Sequence, residues 1–110
     1  MVENLKKMMG LAKDVLHRDK YRALKRVKGS LELSHVLKYA LISEFRIIYD
    51  LLESKLKLME SAGLDAFFLR NKLVVIPSKI KYLSVHFSIE GANMVYQHIK
   101  MAEEEVKEIC

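Results

Sequence analysis

The 110-residue sequence has no tryptophan, one proline and one cysteine. A single thiol, Cys110, cannot form an internal disulfide bond, which favours a reducing compartment. Charged residues interrupt the longest apolar stretch, residues 36–52, so no transmembrane helix is expected. The N-terminus lacks the charged and then apolar pattern of a signal peptide. We therefore expect a cytoplasmic protein with no membrane partner.

The composition is that of one ordinary globular domain. Hydrophobic residues make up 51% of the chain and charged residues 30%, without any low-complexity segment. A chain of this length can bury a stable core without disulfide bonds or metal ions. We therefore predict one domain that spans residues 1–110.

Positive charge is in excess and is concentrated in two regions. The chain carries 19 Lys and Arg against 14 Asp and Glu, a net charge of +5. Residues 1–30 contain nine bases and three acids, and residues 70–100 contain five bases and one acid. Residues 31–69 contain four bases and six acids. Two basic regions beside a nearly neutral segment suit contact with a phosphate backbone, although ordinary solvated surfaces show the same distribution.

Apolar residues at helical spacing predict a basic N-terminal helix over residues 2–28. Arg18, Arg22 and Arg26 recur every four residues in this segment and therefore share one face. Gly29 is expected to end the helix, because glycine readily adopts the conformation that closes a helix.

Residues 31–62 have two helical interpretations. Read continuously, they form one helix of about eight turns. Alternatively, Leu41 and Ile42 form a turn, and Ser43 caps a second helix that follows it. Both interpretations end the helix near Gly63.

Residues 66–89 are predicted to form a β-hairpin with Pro77 at its turn. The last strand is indicated by strict alternation of apolar and polar residues, in which the apolar positions are Leu83, Val85, Phe87 and Ile89. Helical spacing can also be drawn through this segment, along Ile76, Ile80, Leu83 and Phe87. Serines and β-branched residues favour the strand, and Gly91 would end it before a helix over residues 92–109.

Three segments carry a resemblance to a known family. They are Ser30-Leu-Glu-Leu-Ser-His-Val-Leu-Lys-Tyr-Ala-Leu-Ile-Ser43 with the helix that follows it, Leu58-Met-Glu-Ser-Ala-Gly-Leu64, and Lys81-Tyr-Leu-Ser-Val-His-Phe-Ser-Ile-Glu-Gly91. In this order they resemble the helix-turn-helix, the end of the recognition helix and the last wing strand of the winged helix-turn-helix regulators of the PadR-like and MarR-like kind.

The resemblance implies an α+β fold of order α-α-α-β-β-α. Its parts are the basic N-terminal helix 2–28, the helix-turn-helix 31–62, the wing hairpin 66–89 and a C-terminal dimerisation helix 92–109. An all-α helical bundle, in which residues 31–62 form one unbroken helix, is the competing fold.

The resemblance also implies a double-stranded DNA partner and a role as a transcriptional regulator or architectural factor. The recognition helix would present Phe45, Arg46 and Tyr49 to the major groove. Flanking phosphates would be contacted by residues of the wing and of the N-terminal helix, namely Arg70, Lys72, Lys79, Lys81, Arg18, Arg22 and Arg26. Because residues 43–62 contain three bases and four acids, we expect contacts with the DNA backbone to dominate.

A homodimer is expected as well. The helix over residues 92–109 has an apolar stripe along Val95, Ile99, Ala102, Val106 and Ile109, and a small winged-helix domain has little to cover it. Pairing this helix and the N-terminal helix across a two-fold axis would bury the stripe and place two recognition helices about one DNA turn apart.

Other functions have weaker support in the sequence. A non-enzymatic interaction module of a nucleic-acid-handling complex is the main alternative. His35 and Lys38 loosely resemble the His-x-x-Lys of histidine phosphotransfer bundles, a remote alternative. Glu32 and His35 have the spacing of diiron ligands, but the required second copy is missing. With no phosphate loop or nucleophile elbow, we expect no enzyme activity, metal or cofactor.

Overall fold

The computed structural model of the chain describes the backbone of residues 2–109 and the side chains of residues 4–109. Cys110, which entered the prediction of a reducing compartment, lies outside the described residues. The described backbone forms six helices, which are α1 Val2–Val15, α2 Arg18–Lys25, α3 Ser30–Ser61, α4 Phe67–Val74, α5 Ile76–Val85 and α6 Ile89–Ile109.

The fold is all-helical, and the prediction of an α+β winged helix is wrong. Residues 2–109 contain no strand, so the wing hairpin over residues 66–89 does not form. The competing prediction, a helical bundle with an unbroken helix over residues 31–62, describes the architecture correctly. No helix within the described range combines the length and apolar character needed to cross a membrane.

The segment predicted as the last wing strand is divided between α5, which ends at Val85, and α6, which begins at Ile89. α5 forms because helical spacing buries more apolar surface than a strand would. Ile76, Ile80 and Leu83 are almost completely buried, and they lie on one face of a helix. The Ser84 hydroxyl donates a hydrogen bond to the Lys81 carbonyl oxygen at 2.6 Å. This hydrogen bond to the preceding turn satisfies the serine hydroxyl inside a helix. A serine at this position is therefore compatible with a helix and does not indicate a strand.

Pro77 begins a helix instead of turning a hairpin. It is the second residue of α5, and only Val75 separates α5 from α4. A proline is tolerated in the first turn because the amide hydrogen that it lacks has no partner in the helix there. Val75 itself has right-handed helical backbone angles, with a φ of −84° and a ψ of −15°.

Ser88 and Gly91 start α6. The Ser88 hydroxyl accepts a hydrogen bond from the Gly91 amide at 2.9 Å, which is the contact of a helix N-cap. A Cβ atom on Gly91 would lie 2.9 Å from the Ser88 hydroxyl oxygen and 3.2 Å from Leu83 Cδ1. The glycine that was predicted to end a strand thus allows close packing in the first turn of a helix.

Helix α3 is continuous through the predicted turn at Leu41 and Ile42. Leu37, Leu41 and Phe45 are fully buried and continue one face across the expected break. Three further core residues extend this face toward the C-terminal end, namely Leu52, Leu56 and Met59. A turn would have interrupted this face, so Ser43 stays an exposed helical residue and caps nothing.

The basic segment over residues 2–28 forms two helices instead of one. α1 ends at Val15, and α2 begins after His17, whose Nδ1 accepts a hydrogen bond from the Asp19 amide at 3.3 Å. Gly29, with a φ of 89°, follows α2 and separates it from α3. A positive φ is costly for other residues, so the glycine marks the start of α3 as well as the end of the basic segment.

Helix α6 packs inside the bundle against α1, α3, α4 and α5. Its apolar stripe is buried at Val95, Ile99 and Ala102 and partly buried at Val106 and Ile109. Helices of the same chain therefore cover the surface that was expected to pair across a dimer interface.

Helix α3 sets the long axis of an elongated molecule of 51 × 27 × 17 Å. α2 contacts its N-terminal half, where Lys20 pairs with Glu44. α4 contacts its C-terminal end, where Arg70 pairs with Glu60. These two ion pairs therefore lie about 24 Å apart along α3 by helical rise.

Candidate nucleic-acid interface

Helix α2 presents a strongly basic surface. We define the α2 surface as five exposed cationic residues, Arg18, Arg22, Lys25, Arg26 and Lys28. At 100° per residue, the first four lie within an arc of about 100°. Leu24, which is 4% exposed, lies on the opposite side and anchors α2 in the core. The burial of one leucine thus directs four cationic side chains toward solvent.

No acidic partner neutralises the α2 surface among the side chains of residues 4–109. None of its five members forms an ion pair with another described residue. The one acid within residues 18–28, Asp19, lies 3.8 Å from His17 Nδ1. The surface therefore keeps its full charge.

Lys20 points the other way and serves the fold. Its Nζ lies 2.8 Å from Glu44 Oε2, and the Glu44 side chain is only 14% exposed. This ion pair holds α2 against α3. Within the α2 surface, the Lys25 Nζ lies 4.9 Å from the centre of the Tyr21 ring, a cation–π contact.

Two cations predicted for the wing are already engaged. Arg70 Nε lies 3.0 Å and Nη2 2.7 Å from Glu60 Oε2. Hydrogen bonding to Glu60 raises the pKa of the Arg70 guanidinium. Lys72 Nζ lies 2.9 Å from Glu105 Oε2, in a partly buried contact between α4 and α6. These residues tie helices together, so we remove them from the candidate DNA contacts.

The other two predicted wing residues lie on α5. Lys81 is exposed and Lys79 is half-buried, and neither forms an ion pair with a described side chain. They sit on a helix and not beside a hairpin. Lys79 and Lys81 are not part of the α2 surface, because that surface is formed only by α2 and the turn that follows it.

The residues predicted for a recognition helix do not form a common face. Phe45 is fully buried in the core and has no surface to offer to DNA. Tyr49 is half-buried, and burial together with the neighbouring Glu53 carboxylate raises the pKa of its hydroxyl to about 12. Of these three residues, only Arg46 is exposed. The three side chains predicted to contact base edges therefore share no exposed face in this fold.

The described side chains form no cluster around His35 that would support the metal or phosphotransfer chemistry considered from the sequence. Glu32 and His35 are both exposed in the first turns of α3. Lys38 lies with its Nζ 5.6 Å from the centre of the Phe87 ring, which engages it within the fold. The described side chains contain no group of three or more His, Cys, Asp or Glu that could hold a metal ion.

Lys25 and Lys28 belong to the α2 surface but were not among the predicted contacts. Their signal was present in the run of bases over residues 18–28. The missing information was that α2 is a separate helix anchored by Leu24, which places Lys25 beside Arg22. The pairing of Arg70 with Glu60 had no sequence signal, because the two residues meet only when α4 folds back on α3.

Comparisons with models of protein families, with curated proteins and with solved structures find no match to this chain. A function therefore has to be inferred from the chemistry of the exposed surfaces.

Proposed function

We propose that the chain is a non-enzymatic DNA-binding protein whose α2 surface contacts the phosphate backbone of duplex DNA. The observation that carries the proposal is the set of five exposed cations, without an acidic partner among the described side chains, on one short helix and its following turn. Such a protein would act as an architectural factor or as part of a small regulator.

Phosphate is the ligand that suits this set of residues. Three of the five are arginines, whose planar guanidinium donates two parallel hydrogen bonds to one phosphate. Each phosphate that is neutralised releases condensed counterions, which supplies most of the affinity of nonspecific DNA binding. A net charge of +5 adds long-range attraction for the duplex.

The exposed residues of the α2 surface suit phosphate and guanine but not the other bases. Arg and Lys can pair with guanine, whereas the α2 surface has no Asn or Gln, the residues that pair with adenine. The outer face of α3 carries Arg46 and Asp50 together, so it combines attraction and repulsion for phosphate. We therefore propose backbone contacts that depend little on sequence.

Protein interaction is a second candidate, favoured by α4. Phe67 and Phe68 are 60% and 66% exposed, and their rings meet edge to face with centres 5.7 Å apart. Val74 is 67% exposed and lies on the same side of the helix as Phe67. A Phe67→Ser/Phe68→Ser variant separates the candidates, because DNA binding through α2 predicts an unchanged duplex affinity.

The test of DNA binding is fluorescence anisotropy of labelled duplexes over a range of salt concentrations. Five phosphate contacts predict that log K falls with log salt with a slope of about −4.5. Two duplexes of unrelated sequence should bind with the same affinity within a few-fold. Absence of binding at low salt, or binding indifferent to salt, would contradict the proposal.

A further inference from the structure

A long uncharged stripe lies on the outside of α3. We define the α3 stripe as seven residues spaced four or three apart, Val36, Ala40, Ser43, Ile47, Leu51, Ser54 and Leu58. At 100° and 1.5 Å per residue, it covers an arc of about 80° and a length of about 33 Å. It contains no charged residue, although charged residues occur on both sides of it.

The helices of the same chain leave the stripe largely uncovered. Ile47, Leu51 and Leu58 are 42%, 59% and 70% exposed. The core face of α3, around Phe45 and Leu52, points away from it. A helix normally has one apolar face, so a second one along this length indicates a further contact.

The spacing of the stripe is the same in both directions along the helix. A two-fold axis at Ile47 therefore brings each member opposite another member of the stripe on an antiparallel copy. Ile47 meets Ile47, Ser43 meets Leu51, Ala40 meets Ser54, and Val36 meets Leu58. Small residues face small or large ones, so no two leucines compete for the same space.

Charges beside the stripe fit the same pairing. Arg46 and Asp50 lie on one side of it, about 100° and 60° from Ile47. A two-fold axis brings this side of one copy next to the same side of the other. Measured along the helix axis, Asp50 of the second copy then lies about 3 Å from Arg46 of the first. Neither residue forms an ion pair within the described part of the chain. Two opposite-charge pairs would thus flank the axis.

The surface area agrees with an additional interface. The chain exposes 7568 Å², whereas a compact monomer of its 12.8 kDa would expose about 6,300 Å². The excess is larger than the roughly 800 Å² that each partner contributes to a standard interface.

We propose that a second copy of this chain occupies the α3 stripe, forming an antiparallel homodimer with its two-fold axis at Ile47. The interface is α3, and it replaces the expected pairing through α6. Glu44, which holds α2 through Lys20, lies on the opposite side of the stripe from Arg46. The dimer consequently carries both α2 helices on the same face. The dimer itself does not depend on DNA binding.

Sedimentation equilibrium of the full chain without DNA tests the dimer. The wild-type chain should sediment at twice 12.8 kDa at high micromolar concentration. Ile47→Glu places two carboxylates against each other on the axis and should weaken dimerisation at least about tenfold. Met101→Glu, at a site that is 51% exposed on α6, should stay dimeric. A wild-type monomer, or a dimer unaffected by Ile47→Glu, would overturn the proposal.

A charge exchange tests the orientation of the two helices. Arg46→Glu alone and Asp50→Arg alone should each weaken the dimer, and the double variant should restore it. In a Cys110→Ser background, an equimolar mixture of Ser43→Cys and Leu51→Cys chains should form a covalent dimer under mild oxidation, because these positions face each other only in the antiparallel pair. Ser43→Cys alone should not cross-link. Failure of either the charge exchange or the mixed cross-link would overturn the antiparallel arrangement. Loss of duplex binding with an intact dimer would instead count against the function of the α2 surface.

Discussion

The Arg70 guanidinium binds the Glu60 carboxylate through two of its nitrogens, with Nε 3.0 Å and Nη2 2.7 Å from Oε2. The pair joins α4 to the C-terminal end of α3. It also neutralises Arg70, which was predicted from the sequence to contact DNA. Arg22, in contrast, has no acidic partner among the described side chains.

These two arginines should therefore differ in their effect on DNA binding. Arg22→Gln removes a phosphate contact and should reduce the salt slope of duplex binding by about 0.9. Arg70→Gln should leave that slope unchanged and alter the affinity less than about twofold. Anisotropy titrations at several salt concentrations measure both. Equal effects of the two changes would show that the Glu60 pair does not withhold Arg70 from DNA.

The N-cap of α6 should contribute measurably to stability. Ser88→Ala removes the acceptor of the Gly91 amide and should lower the free energy of unfolding by about 1 kcal/mol. Ser84→Ala is the matched control, because its hydroxyl only bonds backward to a helical carbonyl and alanine favours helix. Urea unfolding followed by circular dichroism measures both. A larger loss for Ser84→Ala would contradict the helical assignment of this segment.

Tyr49 should make the fold sensitive to high pH. Burial, and then the Glu53 carboxylate, raise its pKa to about 12, compared with about 10 in an unfolded chain. Because the folded pKa is the higher one, its contribution to stability is complete below pH 10 and is lost as the pH rises toward 12. Between pH 8 and pH 11 the wild-type protein should lose more stability than Tyr49→Phe. Equal losses would remove Tyr49 as the cause.

The two ends of α3 were the most predictable boundaries of the fold. Gly29 and Gly63 both adopt positive φ next to α3, as expected of glycines that border a helix. The apolar stripe of α6 is also at the expected positions. Local rules suffice for these features, because a glycine or a helical periodicity acts within a few residues.

The segment from Ile76 to Ile89 could not be decided locally. Alternation and helical spacing shared Leu83 and Phe87, so the same residues supported both structures. Packing decided the outcome, because a helix buries Ile76, Ile80 and Leu83 together against α3 and α6. Residues from distant parts of the chain thus selected the structure.

The candidate site was partly predictable for the same reason. The spacing of Arg18, Arg22 and Arg26 put them on one face, which needs only helical geometry. Which cations stay available depends on tertiary ion pairs such as Lys72 with Glu105, 33 residues apart. Sequence alone could not separate structural cations from available ones.

A comparison of two charge-matched variants tests the function of the α2 surface most directly. Arg18→Gln/Arg22→Gln/Arg26→Gln and Lys55→Gln/Lys57→Gln/Lys107→Gln each remove three positive charges from a net +5. In duplex titrations at one salt concentration, the α2 variant should bind about a hundredfold more weakly than the wild-type chain. The control should lose less than about threefold. Equal losses in both variants would show that net charge, and not the α2 surface, attracts the duplex.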